Sequence, residues 1–433
     1  MGSQWEGRVL IVKSMATSRF RDGRGLAVSA GSAKAVEALD RFQENLVRGN
    51  DAAGEVLKDA EEHGSCALLQ AGAAAVHLYS QATTEITEKG RPLLSRAAAR
   101  AGNEREKLFV AALTAWADND FWQALGLLER LTTEWPQDLV AAKVAEMLFF
   151  ITGQSRSAPL LMMMERLAPE HPRSAPFLAM HSFALELNGQ FDAAEARARA
   201  ALAEDDNLAW AQHTLGHVFL NRGQIKKGLG ELTLRAQRWD KTGRGVACHN
   251  WWHLALMHLA AQDTATAKAM LREKIWGVMP DNVFELTDAI SLLWRLELAG
   301  ENCDEEWPKI APHARPRVME QVFPFLSAHV MYALARAGER ETTQAALAGV
   351  AAHAAAQPPG PARRTWGEIG LPLVRGVKAF GERDYVTAYL ELAPVAGRWL
   401  CAGGSDAQND LFDQTYLLAA MRAGELATAR RLW

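Results

Sequence analysis

Cysteine is scarce in these 433 residues: Cys66, Cys248, Cys303 and Cys401 stand far apart, with no CxxC pair among them. That spacing excludes a disulfide scaffold and a thiolate zinc knuckle, and it reads as reduced, mostly core thiols in a cytoplasmic protein. No run of about 18 uninterrupted apolar residues occurs, so no membrane helix is predicted. Basic tracts are also missing. With 47 Lys and Arg against 51 Asp and Glu, evenly mixed, the chain offers no electrostatic footprint for a phosphate backbone, and nucleic acid is excluded as a partner. The first 30 residues carry Arg8, Lys13, Arg19, Arg21 and Arg24 but lack the apolar core of a secretory signal, which leaves only a faint transit-peptide likeness. Met1-Gly2 opens like an acylation site, yet Glu6 stands where Ser or Thr is needed; Met15 offers an alternative start. A P-loop, a dinucleotide glycine motif, a GxSxG elbow and a Cys-His nucleophile signature are all absent.

Sustained two-residue alternation is missing too, and β-branched residues are scattered among alanines, so strands are not expected. What is present is a repeat. Small residues recur at Ala124, Ala158, Ala194, Gly228 and Ala265, at intervals of 34, 36, 34 and 37 residues. The clearest unit is Gly189-Gln190-Phe191-Asp192-Ala193-Ala194 followed by Ala201-Leu202. It reads as the turn and second helix of a tetratricopeptide unit, with glycine for the turn, phenylalanine for the interhelix core and alanine for close packing. Similar glycine-led turns are expected at Gly338, Gly381 and Gly424. The fold class that follows is all-α, a tetratricopeptide-like superhelical solenoid of antiparallel helix pairs spanning residues 33–433, after a partly irregular segment 1–32. Loops are expected at 277–282, at 301–316 with three prolines, at 357–364 and at 402–406. The run Met162-Met163-Met164 reads as core filler.

The chemistry concentrates in one place. His213 and His217 lie one helical turn apart, and His249 and His253 repeat that pair 36 residues on. An offset of one helix-turn-helix repeat predicts two pairs side by side on neighbouring helices about 8–10 Å apart, facing one surface. Asn250, Asp288, His329, Asp406, Gln408 and Asp410 are expected to join them, with Trp252 for a flat or apolar ligand part and Arg295 for a carboxylate. His249 is the preferred base or ligand acceptor, with Asp288 its carboxylate partner. A position near a helix N-terminus would keep the ring neutral. No Glu follows either first histidine as in HExxH, and Asn250 is a poor ligand, so neither metal nor other cofactor is predicted.

The block Ala247-Cys248-His249-Asn250-Trp251-Trp252-His253-Leu254-Ala255-Leu256 resembles the His-Asn-x-x-His hallmark of the tetratricopeptide repeat protein 38 family. Trp210 to His217 is similar to the family helix before it, Asp288 to Leu296 to the one after, and Gly403 to Gln408 with Asp410 and Phe412 to the C-terminal signature. The likeness runs from about Asp22 to the end. It implies the helical-repeat fold but no particular reaction. Two departures stand out: Phe219-Leu220 replaces an acidic residue after the first pair, and Ser327-Ala328 replaces an Asn-Asp before His329.

The function expected on this reading is enclosure of a small molecule or short peptide end in a pocket lined by His, Asn and Asp. One alternative is an enzyme using the same pocket for imidazole acid–base chemistry; the other is an open scaffold for protein partners. Homo-oligomerisation is left open.

Overall fold

In the computed structural model, which describes residues 19–153 and 158–433, the chain is all-α. Among the described residues the extended structure is one two-residue antiparallel pairing, Phe20–Arg21 against Ala27–Val28. The readings placed on residues before 19 lie outside the described residues. No helix among the described residues is long and apolar enough to cross a membrane.

The site is built by α1 (Ala33–Arg48), α2 (Leu139–Ile151), α3 (Ala175–Leu187), α4 (Phe191–Glu204), α5 (Ala209–Asn221), α6 (Ile225–Ala236), α7 (Arg244–Ala260), α8 (Val283–Leu298), α9 (Pro324–Arg336) and α10 (Asp406–Arg422). They fall into two layers. Every residue of α3 is buried, whereas α4 buries only Ala194, Ala198, Ala201 and Leu202. A stripe of small side chains at helical spacing lets α4 lie close on its neighbours while its other faces meet solvent. The contrast repeats in α5, buried over most of its length, and α6, which buries Gly228, Leu232 and Ala236. The inner helices α3, α5, α7, α8 and α9 are neighbours in that order, and α10 packs against α5 and α8.

Each pair is joined by a tight turn. At Gly189 the backbone enters the left-handed region with φ 74°, and the Gln190 amide donates to the Leu185 carbonyl at 3.0 Å, which stops α3. The same turn forms around Gln262 and Arg383. The turn expected at Gly381 is therefore centred two residues later; Gly381 is the last residue of its helix, where a Cβ would stand 2.9 Å from the Ala335 methyl. The three-proline stretch is also no simple loop, since Trp307–Ala314 is helical. Pro308 sits in the first turn, where its missing N–H is not needed, and burial of Trp307 and Ile310 anchors the segment. Of the methionine run, Met163 and Met164 are buried and Met162 is exposed.

The row of inner helices closes on itself. The Gly404 amide donates to the Phe150 carbonyl at 3.1 Å, and the Arg244 amide donates to Asp51 at 2.9 Å. Arg317 reaches the Ser80 carbonyl at 3.0 Å. Two of these closures need glycine because the approaching partner is backbone: a Cβ at Gly153 would lie 2.0 Å from the Leu400 carbonyl oxygen, and one at Gly243 would lie 1.9 Å from the Gly49 carbonyl oxygen. An interior space is left inside the closed row.

Candidate functional site

Four imidazoles converge between α5 and α7. Centroids within each helix lie 4.6 Å apart for His213 and His217 and 4.7 Å apart for His249 and His253. Across the helices the separations are 5.1 Å for His213 and His249, 4.5 Å for His217 and His253, and 4.9 Å for His213 and His253. One ring nitrogen from each residue falls within 4.8 Å of the others. His213, His217 and His253 are buried, and both ring nitrogens of each lack a hydrogen-bond partner among the described residues. Leaving buried polar atoms unmatched costs about 1–3 kcal/mol each, so a cluster in which these nitrogens have no aligned partner, apart from the Glu186 charge near His217 Nδ1, is not an arrangement that packing alone would favour.

Two carboxylates stand behind the imidazoles. Asp288 on α8 accepts from His249 Nδ1 through both oxygens at 3.0 Å, which places the proton on Nδ1 and leaves Nε2 with its lone pair. The Cys248 thiol also lies 3.9 Å from Asp288; burial, reinforced by that carboxylate, pushes the thiol far above its ordinary range, so it stays protonated. Glu186 on α3 sits 3.3 Å from His217 Nδ1, close enough for charge attraction though off hydrogen-bond alignment. Burial would lower His217, but the Glu186 carboxylate outweighs it and holds the imidazole above its ordinary value. His213 and His253 have no such counter-charge: burial, followed by the neighbouring imidazoles, holds both far below the usual histidine range.

Beside the quartet lies a cavity of about 410 Å³, reached by His213, His249, Asp288 and Thr287 on one side and by Phe183, Trp210, Phe323 and Phe325 on others. Lys143 and Glu146 on α2 stand at its edge, the ammonium 4.0 Å from the Trp210 ring centroid and Glu146 accepting from Trp210 Nε1 at 3.1 Å. Gln408 also lines the cavity, with its Oε1 accepting the Ser405 amide at 3.0 Å as part of a capping box that starts α10.

The other residues expected at the site do not line this cavity. Asn250 faces away and donates to the Ala209 carbonyl at 3.1 Å, an interhelix tie. Trp252 packs behind the quartet, stacked on His249 at 5.1 Å and 10°. His329 is enclosed by Phe325, Phe412 and Trp294 and bonds the Phe325 carbonyl of its own helix at 2.8 Å; burial pushes it down to about 4. Arg295, Asp406 and Asp410 line a separate groove of about 890 Å³, although the Asp406 carboxylate still acts on His217 and the Arg295 charge on His253. There Arg295 donates to Asp410 at 3.1 Å and to the Ala407 carbonyl at 2.6 Å. The helix-terminus argument for His249 also fails, because α7 begins at Arg244 and His249 lies beyond its first turn, where the dipole has faded. Asp288, not the dipole, sets the tautomer of that ring.

Glu186 was not legible as a site residue, although it is the only carboxylate in 175–187, an otherwise largely apolar segment. Its Oε1 accepts from Asn221 Nδ2 at 2.7 Å, so the carboxylate is oriented from α5 as well. No known family profile matches the chain, and its function is argued from this site.

Proposed function

We propose that this chain binds a small molecule, largely apolar with one hydrogen-bonding end, in the interior cavity beside His213 and His249. The supporting observation is the cavity itself: its volume of about 410 Å³ falls within the range of small-molecule sites, and its mainly apolar walls carry polar groups that include His249 with Asp288 and Lys143 with Glu146. The aromatic rings desolvate the apolar part of the ligand, and the imidazole–carboxylate pair orients the polar end. Kinship with the tetratricopeptide repeat protein 38 family belongs to this proposal and supplies no reaction.

A catalytic reading is favoured by one feature, the bidentate Asp288–His249 contact. An imidazole held by a carboxylate at Nδ1 presents Nε2 as a general base. Both readings are tested by screening small molecules for a shift in melting temperature and by native mass spectrometry of the purified chain. The expected result is a ligand that stabilises the wild type and is lost in Thr287→Phe, which fills the cavity, and in His249→Gln, which removes its imidazole–carboxylate pair. Stabilisation that survives in the folded Thr287→Phe variant would sink the reading. A conversion product that forms with wild type and not with Asp288→Asn would establish the catalytic version.

A further inference from the structure

The cavity accounts for His249 and for one edge of His213, but it does not account for His217 and His253, which are fully buried behind it. We infer that the quartet His213, His217, His249 and His253 is a binding site for one divalent first-row transition ion of the zinc and cobalt class. Imidazole nitrogen is a preferred donor for these ions, and two i, i+4 pairs on adjacent helices supply four donors from two rigid elements. The nitrogens already lie within 4.8 Å of one another. In a tetrahedral site with metal–nitrogen bonds of about 2.0–2.1 Å, neighbouring nitrogens stand about 3.4 Å apart, so an inward movement of roughly 1 Å completes the site.

Three further features fit an ion. The orphaned nitrogens of His213, His217 and His253 all belong to one cluster, and an ion taking one nitrogen from each ring would engage all three residues at once. Asp288 behind His249 and Glu186 behind His217 repeat the carboxylate–histidine arrangement that orients metal-ligating rings and raises their basicity. Two buried carboxylates also offset the charge of a dication, while no thiolate takes part. His249 is the least buried of the four and lines the cavity, which gives an ion a route inward. This inference does not depend on what occupies the cavity.

The test uses the full chain made without a histidine tag, stripped with chelator, and titrated with Co²⁺ alone. One equivalent should bind, with the visible absorption of tetrahedral nitrogen coordination, and equimolar Zn²⁺ should displace it. Glu186→Gln keeps size and hydrogen bonding and should weaken Co²⁺ binding about 10–100-fold. His253→Ala, away from the cavity, should weaken it further. Circular dichroism of each metal-free variant establishes that it is folded. If folded wild type binds no Co²⁺ at micromolar concentration, the site does not exist. If binding is unchanged in both Glu186→Gln and His253→Ala, the ion sits elsewhere, and the inference is equally overturned.

Discussion

The quartet on α5 and α7 and the polar start of α10 read alike in the sequence, as clusters of His, Asp and Gln, yet the structure uses them in different ways. Around α10, the Ser405 amide finds Gln408, Asn409 Nδ2 bonds the Gly403 carbonyl at 2.8 Å, and Asp410 is met by Arg295, so each residue is tied at least once even though Asn409 Oδ1 and Arg295 Nε have no partner among the described residues. In the quartet three buried histidines have no bonded partner among the described residues. Polar groups that answer one another hold helices in place; polar groups left unanswered in a packed interior point to something that is to be bound. That difference separates a joint from a site.

The sharpest way to break the comparison is with acid. His329 belongs to the packed region, and its folded value of about 4 lies below the ordinary 6.5. Above pH 6.5 the ring is neutral in both states and contributes nothing to the pH dependence. Between 6.5 and 4 the unfolded chain takes up a proton that the folded chain refuses, so stability falls by about 3 kcal/mol and levels off below 4. His181, held at about 4 chiefly by burial, acts in the same direction, as do His213 and His253, which burial holds far below the ordinary range. Chemical denaturation at successive pH values should show this acid limb, flattened in His329→Leu. An unaltered limb would remove His329 from the account.

Arg295→Ala comes next. It removes a buried guanidinium that bonds Asp410 and the Ala407 carbonyl, and the loss should be about 2–3 kcal/mol in denaturant melts. Co²⁺ binding should stay within about threefold of wild type; a larger loss would join the two regions into one site. Asn250→Ala cuts the tie to the Ala209 carbonyl and should cost about 1 kcal/mol in the same melts, with the cavity ligand still bound. Smallest is Asp410→Asn, at an exposed carboxylate whose ion pair is screened by water, with an expected change within about 0.5 kcal/mol. A drop of several kcal/mol there would mean that the surface pair is a keystone of α10.

Much of the architecture was legible because helix periodicity and small-residue spacing are local properties. The 36-residue offset predicted neighbouring histidine pairs, and His213 and His249 do lie 5.1 Å apart. Boundaries were less legible: Arg383 takes the left-handed turn that Gly381 advertised, and the proline-rich 301–316 contains a helix, because burial of Trp307 overrides a local breaker signal. Site membership was the least legible. His329 and Asp410 looked like partners of the quartet, yet one sits among aromatic rings and the other on a separate groove. Glu186 left only the weak trace of one carboxylate in an apolar helix.

The amino-acid order by itself determined the helices, their pairing and the register that sets His213 and His217 beside His249 and His253, since each depends on spacing along the chain. Which polar residues meet was decided only in three dimensions. Closure of the row through backbone contacts at Gly153 and Gly243 folds α2, α9 and α10 around a common interior, and contacts between residues 31 to 115 positions apart, such as Glu186 with His217 and Arg295 with Asp410, are set by that curvature. Local periodicity carries no information about the angle at which distant helices return, and that angle decides which carboxylates and imidazoles meet.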